Sequence, residues 1–493
     1  MTTKLDYTKA WTSAERYRPY GHYSEAYVAA LETAVAASPY TNTYHIQPKS
    51  GLLNDPNGFS YFNHHYHLFY QVFPYGPVHG LKSWGLMTST DLVHWIDQGI
   101  QLLPDTVYDS HGAYSGSALA LSDDELFIFY TGNTRGADFS RAAFQNGAIY
   151  HPDGSLKKLD SPLLTTPQGF TQHFRDPMIF DYQEKKYAVI GAQTDQQEGA
   201  IMLAHATNDQ LTSWAYDGQL HFTDANMGYM IECPNLVFLD QKAVLLFCPQ
   251  GLEQTICDYQ NIFPNMYVIA DDLDVASTSL TNASPLHNLD DGFEVYATQA
   301  FNAPDGRALA ISWLGLPDLD VPSQADGWQG ILSLVKELTL KNGQLYQYPV
   351  AETLTLRQAQ EKVILSAKTP VPVQSNSFEL EVELTKDNEL YLFANSDNTS
   401  HVSIKIELKN GKIELNRTNL PIKWSETYGL TRSTTCSTTA NTVKLNLFVD
   451  RSSLEIFINE GEKVMSSRIF TASDQTFLFA KHELSATIWA LKK

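Results

Sequence analysis

The sequence predicts an all-β protein, a five-bladed β-propeller followed by a C-terminal β-sandwich. Two observations predict it. A unit of about sixty residues recurs five times, and after Pro370 the chain changes to short runs of clean apolar–polar alternation.

The elements follow in order. Residues 1–41 read as an N-terminal extension. Within it Tyr23 to Ser38 is Ala-rich, places Val28, Leu31 and Val35 on one helical face, and stops at Pro39, so a short helix is expected there. Residues 42–345 hold the repeat. Each unit is a polar motif, an apolar run, a turn and a second apolar run. The first is Asp55-Pro-Asn-Gly, FSYF, a turn near Asn63, and HLFYQ. The second is Tyr114-Ser-Gly-Ser, ALAL, a turn at Asp123-Asp124, and LFIFY. The third is Arg175-Asp-Pro, MIF, a turn near Glu184, and YAVIGAQ. The fourth is Glu232-Cys-Pro-Asn, LVFL, a turn at Asp240-Gln241, and AVLLFCPQ. The fifth is Tyr296-Ala-Thr-Gln, AF, a turn at Asp305-Gly306, and ALAISWLG. Anchored on Asp55, Ser115, Asp176, Glu232 and Tyr296, the steps are 60, 61, 56 and 64. A steady step of this size marks one supersecondary unit reused. Runs that are short, β-branched and aromatic make that unit all-β. STDLVHW (Ser89 to Trp95) and ATNDQLTSW (Ala206 to Trp214) echo each other in the first and third units.

Residues 346–369 read as a linker, with Ala351 to Lys362 helical. Residues 370–493 read as the sandwich, with strands at 378–384, 401–408, 443–449 and 454–458 and a hairpin at Asn410-Gly411.

Composition narrows the function. Of 493 residues, 55 are acidic and 34 basic, a net charge of −21. That disfavours nucleic acid and anionic membrane surfaces as partners. It leaves room for one small phosphorylated ligand held by a local basic cluster. No segment has the apolar length of a membrane span, and Met1 to Tyr20 lacks a signal peptide's apolar core, so a cytoplasmic protein is expected. Cys233, Cys248, Cys257 and Cys436 show no metal or disulfide spacing. His64, His65 and His67 sit at a hairpin turn without further ligands in range, and read as a solvated hairpin rather than a metal site. No phosphate-cradling Gly loop and no GxSxG elbow occurs.

The polar motifs carry the chemistry. In a propeller the innermost strands line one channel, so motifs at one place in each unit converge. Asp55, Asp176 and Glu232 would then meet. Arg175-Asp176 in isolation reads more often as a structural ion pair than as a catalytic one; its place in the repeat favours the functional reading. Glu232, between Ile231 and Cys233, reads as a carboxyl with a raised pKa suited to general acid work, or as a glutamate pointing to solvent. One ionised and one protonated carboxyl are what glycoside hydrolysis requires. A non-catalytic sugar-binding propeller is the rival from another class.

Together the motifs resemble glycoside hydrolase family 32, the invertases and fructan hydrolases. The resemblance runs from about Tyr44 to Lys493. It rests on NDPNG (54–58), FYQ (69–71), YSGS (114–117), RDP (175–177), ECP (232–234) and FVDRSSLEIFIN (448–459). It implies a propeller carrying the site and a sandwich behind it. It implies Asp55 as nucleophile, Glu232 as acid/base, and Asp176 as the transition-state stabiliser that grips fructose hydroxyls. It further implies fructose contacts from Asn54, Gln71, Trp84, Tyr114, Ser115, Arg175 and Trp313, and no cofactor or metal.

Within the family, GPVHGLKSW, DSHGAYSGS, FTQHFRDP and DYQNIF look most like the bacterial hydrolases of sucrose 6-phosphate. His79 and Lys82 lie in the loop before Trp84. Lys82 reads as a phosphate contact or, equally, as a solvated loop lysine. Ile231, Leu53 and Leu86 depart from the family's usual residues. The expected substrates are sucrose 6-phosphate, sucrose or short fructo-oligosaccharides, with hydrolysis or fructosyl transfer as outcomes of one covalent intermediate.

Overall fold

The computed structural model describes residues 6–438 and 441–492; the first five residues of the expected extension lie outside that range. Residues 51–349 form five sheets of four or five strands in chain order, with a two-stranded ribbon, Asp272–Asp274 and Ser279–Thr281, beside the fourth. They are antiparallel except where Trp328–Gln329 joins the first in parallel. The inner strands are Gly51–Phe62, Ala113–Ala120, Phe170–Tyr182, Met230–Leu239 and Tyr296–Asn302. Each touches the inner strand of the next sheet, and the fifth touches the first. The five therefore surround one axis.

Buried side chains cross every junction of that ring. Asn57 Oδ1 accepts from Gly116 N at 3.0 Å. Ser117 Oγ accepts from Ile179 N at 2.8 Å and donates to Pro177 O. Asp176 Oδ2 accepts from Cys233 N at 3.0 Å. Asn235 Oδ1 accepts from Ala300 N at 3.1 Å. Gln299 Oε1 accepts from Phe59 N at 2.7 Å. Buried backbone donors must be paired. Here side chains pair them across sheets, so neighbouring sheets cannot slide independently.

The helix is Glu25–Ala36, capped by Ser24, whose side chain accepts from Tyr27 N. Leu31 and Val35 are buried on it, and Val35 packs with Val295, Leu314, Trp328 and Ile331. The histidine hairpin is only partly solvated: His65 is exposed, but His67 is buried against Phe62 and Tyr150.

The expected linker is replaced by secondary structure. Gln344–Pro349 is the outer strand of the fifth sheet. Ala351–Leu356 is one 3-10 segment, and Arg357–Leu365 is a strand paired with Leu484–Leu491. Helix-favouring composition loses there to a partner strand more than a hundred residues away. Two six-stranded sheets follow over residues 357–491. Their facing sides share one apolar core that includes Leu380, Leu392, Ile404, Leu447 and Ile456. The Asn410-Gly411 hairpin joins Val402–Glu407 to Lys412–Asn416. Among the described residues no helix is long and apolar enough to cross a membrane, and no His/Cys/Asp/Glu group has the geometry to hold a metal.

The run FVDRSSLEIFIN meets residues 43–45, which lead into the first sheet. Its Asp450 and Glu455 meet the two ring nitrogens of His45 at 3.0 and 2.9 Å, all three side chains fully buried. Asp450 also accepts from the backbone of Thr43, Tyr44 and His45. Both ring nitrogens facing carboxylates makes His45 a cation. Burial alone would lower its pKa, but the two carboxylates outweigh burial and hold it up to about 9. The unfolded histidine titrates near 6.5. This stabilisation is therefore complete below about pH 6.5, declines above it, and is lost once the pH passes about 9. Thermal melts from pH 6 to 10 are expected to fall more steeply for the native chain than for His45→Ala. At pH 6 that variant is expected to lose about 3–5 kcal/mol. Equal slopes would contradict the pairing.

Candidate active site

All five inner strands carry a β-bulge at the same place, where two residues oppose one on the neighbouring strand. The bulged pairs are Asn54-Asp55, Tyr114-Ser115, Asp176-Pro177, Cys233-Pro234 and Ala297-Thr298. A bulge re-aims the side chains on either side of it. Asp176, Cys233 and Ala297 take positive φ there, at 66°, 47° and 50°. Such backbone costs of order 1–3 kcal/mol where the surroundings hold it.

The bulges correct one reading of the repeat. The three carboxylates are not at equivalent positions. Glu232 is the last paired residue before its bulge, Asp176 the first bulged residue, and Asp55 the second. They reach the axis from three successive levels. Bonds then run between residues of equal level on neighbouring strands. Glu232 lies level with Arg175 and Tyr296. Arg175 Nε and Nη2 donate to its Oε1 at 2.9 and 2.5 Å, and Tyr296 OH donates to its Oε2 at 2.7 Å. Asp176 is level with Cys233, whose N–H it accepts. Asp55 is level with Ser115, whose Oγ donates to Asp55 Oδ2 at 2.5 Å. Gly116 follows Ser115 because any side chain there would collide with the carbonyl of Phe129.

The three carboxylates line a cavity of about 430 Å³ together with Asn54, Gln71, Lys82, Tyr114, Arg175 and Trp313. Asp55 also accepts from Asn54 Nδ2 at 3.0 Å and Gln71 Nε2 at 3.2 Å. Gln250 Nε2 donates to Glu232 Oε2 at 2.7 Å. The surroundings of Glu232 are thus polar, not the apolar shell that Ile231 and Cys233 suggest. Lys82 is 2% exposed and donates to Asn54 Oδ1. It is neither solvated nor at the rim; it sits beside Asp55.

Burial sets the electrostatics. It raises the pKa of Asp55, and the charge of Glu232 adds to this against the bonds from Ser115 and Asn54 and the charge of Lys82. Burial pushes Asp176 up to about 7; Glu232 and Asp55 contribute and Arg175 opposes. Burial pushes Lys82 down to about 7 against the pull of Asp55.

The chain matches the glycosyl hydrolases family 32 N-terminal domain over residues 45–349 and the family 32 C-terminal domain over residues 349–490. The chain belongs to glycoside hydrolase family 32. It is 47% identical over 468 residues to the sucrose-6-phosphate hydrolase of Streptococcus mutans, covering 94% of this chain and 96% of that one. It is 46% identical to the sucrose-6-phosphate hydrolase of Lactococcus lactis, covering 98% and 100%. The solved structure of sucrose-6-phosphate hydrolase from Lactobacillus gasseri superposes with a TM-score of 0.94 at 40% identity, over 98% of this chain and 99% of that one.

In this family 32 hydrolase, most of the expected contacts converge on the cavity. Two do not line it. Trp84 is fully buried behind the wall, against Phe69 and Tyr130, and donates from Nε1 to Tyr114 O at 3.1 Å. Ser115 lies one layer down and reaches the cavity through Asp55. Tyr296 and Gln250 were missing from the expected set. Tyr296 anchors the fifth repeat, which signals it. Gln250 ends the fourth unit's second strand, Gln193 stands one residue before the end of the third's, and Gln193 also lines the cavity.

A carboxyl whose folded pKa lies above its unfolded value opposes folding once it ionises in the unfolded chain. For Asp176 that penalty is absent below about pH 4 and complete above about 7. Asp176→Asn is expected to stabilise the fold by about 1–3 kcal/mol at pH 8 and not at pH 4. Melting temperatures at the two pH values check this; a variant no more stable at pH 8 contradicts it.

Proposed function

We propose that this chain hydrolyses the terminal β-fructofuranosyl bond of sucrose 6-phosphate and of sucrose, with retention of configuration. One observation carries the reading: Asp55, Asp176 and Glu232 come from three sheets into one cavity, each in a different bonding environment. Asp55 is held by neutral donors from Asn54, Gln71, Ser115 and Cys233, which fix a carboxylate without neutralising it. It is the nucleophile and attacks the anomeric carbon of fructose. As that bond forms, the carbon–oxygen bond to the leaving sugar breaks, and Glu232 gives its proton to the departing oxygen. Glu232 then takes a proton from water; the water attacks the same carbon and Asp55 leaves. Two inversions give net retention. Asp176 grips fructose hydroxyls, with Asn54, Gln71, Tyr114, Arg175 and Trp313 as further contacts. Arg175, Tyr296 and Gln250 fix the orientation of Glu232.

The five sheets are read as the blades of a β-propeller; the contact of the fifth inner strand with the first supports this. The chain then divides near residue 349, where the two family matches meet. Sucrose 6-phosphate as the preferred substrate is supported by the names of relatives at 46–47% identity. A phosphate ester crosses no bilayer unaided, which fits the expected cytoplasmic location.

Asp55→Asn is expected to lower kcat by at least about a thousandfold while still binding fructose. Native enzyme in methanol is expected to release methyl β-fructofuranoside first, read by NMR. Unchanged turnover in the variant, or an α-product first, contradicts the mechanism. kcat/KM for sucrose 6-phosphate is expected to exceed that for sucrose and for kestose; equal values contradict the phosphate preference.

A further inference from the structure

The cavity rim carries an unbalanced positive charge in a protein whose net charge is −21. Arg135 and Arg141 both line the cavity. They end and begin adjacent strands of the second sheet, Leu126–Arg135 and Arg141–Tyr150, and stand directly opposite each other in the ladder. Like charges so placed destabilise a sheet. Among the described residues neither meets a carboxylate. Arg135 Nη1 donates to the carbonyl of Phe139 at 3.4 Å, and its buried Nε has no partner. Arg141 Nη1 contacts His173 Nδ1 at 3.2 Å.

His173 links this pair to the reacting centre. Its Nδ1 also meets Arg175 Nη1 at 3.2 Å, and Arg175 holds Glu232. Guanidinium nitrogens only donate, so Nδ1 must accept from both and the imidazole is neutral. Burial and the charges of Arg175 and Arg141 hold its pKa down, to about 4. A continuous chain of hydrogen bonds thus runs from the proposed acid/base carboxyl through Arg175 and His173 to Arg141. The leaving sugar lies on the Glu232 side, because Glu232 protonates its oxygen.

Resting on that reading of the site, we propose that Arg135 and Arg141 form the receptor for the phosphate of the leaving sugar, a phosphate monoester dianion held between two guanidiniums. A dianion there turns a repulsive pair into a bidentate clamp. Tyr17 of the N-terminal extension lines the same rim and packs on His111 and Phe139, bracing the turn that joins the two strands.

The test is the ratio of kcat/KM for sucrose 6-phosphate to that for sucrose, in the native enzyme, Arg135→Gln, Arg141→Gln and the double variant. Each single change is expected to lower the ratio about ten- to hundredfold. Inhibition of sucrose hydrolysis by glucose 6-phosphate, glucose and inorganic phosphate separates a sugar-phosphate site from a free-phosphate site. Glucose 6-phosphate is expected to inhibit the native enzyme best and to lose that advantage in the variants. Arg135→Gln is also expected to melt no lower than the native chain, since it relieves the opposed charges. A native ratio near one overturns the substrate reading and this receptor with it. A high native ratio that persists in both variants, or inorganic phosphate inhibiting as well as glucose 6-phosphate, overturns the receptor alone. A lower melting temperature for Arg135→Gln with an unchanged ratio makes the pair structural and overturns it too.

Discussion

Three carboxylates meet in one cavity, with Arg175 and Lys82 as the cations set directly beside them, and the surrounding architecture answers their mutual repulsion. Two like charges 4 Å apart repel by about 4 kcal/mol at an effective dielectric near 20. A single hydrogen bond offsets about 1 kcal/mol. No one bond could keep Asp55, Asp176 and Glu232 in place. They are held by a rigid ring of strands, whose backbone groups are tied together by Asn57, Ser117, Asn235 and Gln299. Asp176 is itself one of the ties, through the N–H of Cys233, so the ring and the site are one hydrogen-bonded object.

The bulge is the second half of that answer. The irregularity recurs at the same place in all five inner strands. A shift of one residue within it decides what reaches the axis. Glu232, Asp176 and Asp55 occupy three successive levels, so each meets its own partners: a guanidinium and a phenol, a backbone amide, and a set of neutral donors. Identical positions would have given three carboxylates one environment. The staggering separates their chemistry, which a reaction needing one nucleophile and one acid demands.

Much of this was legible in the sequence. Sixty-residue steps located every inner strand, and the apolar runs located most of their partners. The carboxylates followed because a ring brings the same end of every inner strand together. The one-residue stagger was not legible: steps of 60, 61, 56 and 64 are too irregular to resolve it, and only the pairing register does. Ala351 to Lys362 misled for another reason. Its Ala, Glu, Leu, Gln and Lys favour a helix locally, but strand formation there is decided by Leu484–Leu491, far along the chain. Lys82 and Trp84 look alike in a loop-to-strand stretch; burial sends one beside Asp55 and the other behind the wall. Arg135 and Arg141 lie outside any motif and read as ordinary surface charges until the ladder sets them face to face.

The role of Asp55 is open to direct observation. Glu232→Ala can be given a fructosyl donor whose leaving group needs no protonation. The first step then proceeds, while the second lacks its base, so the intermediate accumulates. Peptide mass mapping of the quenched enzyme is expected to find one fructosyl unit on the peptide containing Asp55. No adduct while the donor is still consumed, or an adduct on the Asp176 peptide, would contradict the assignment.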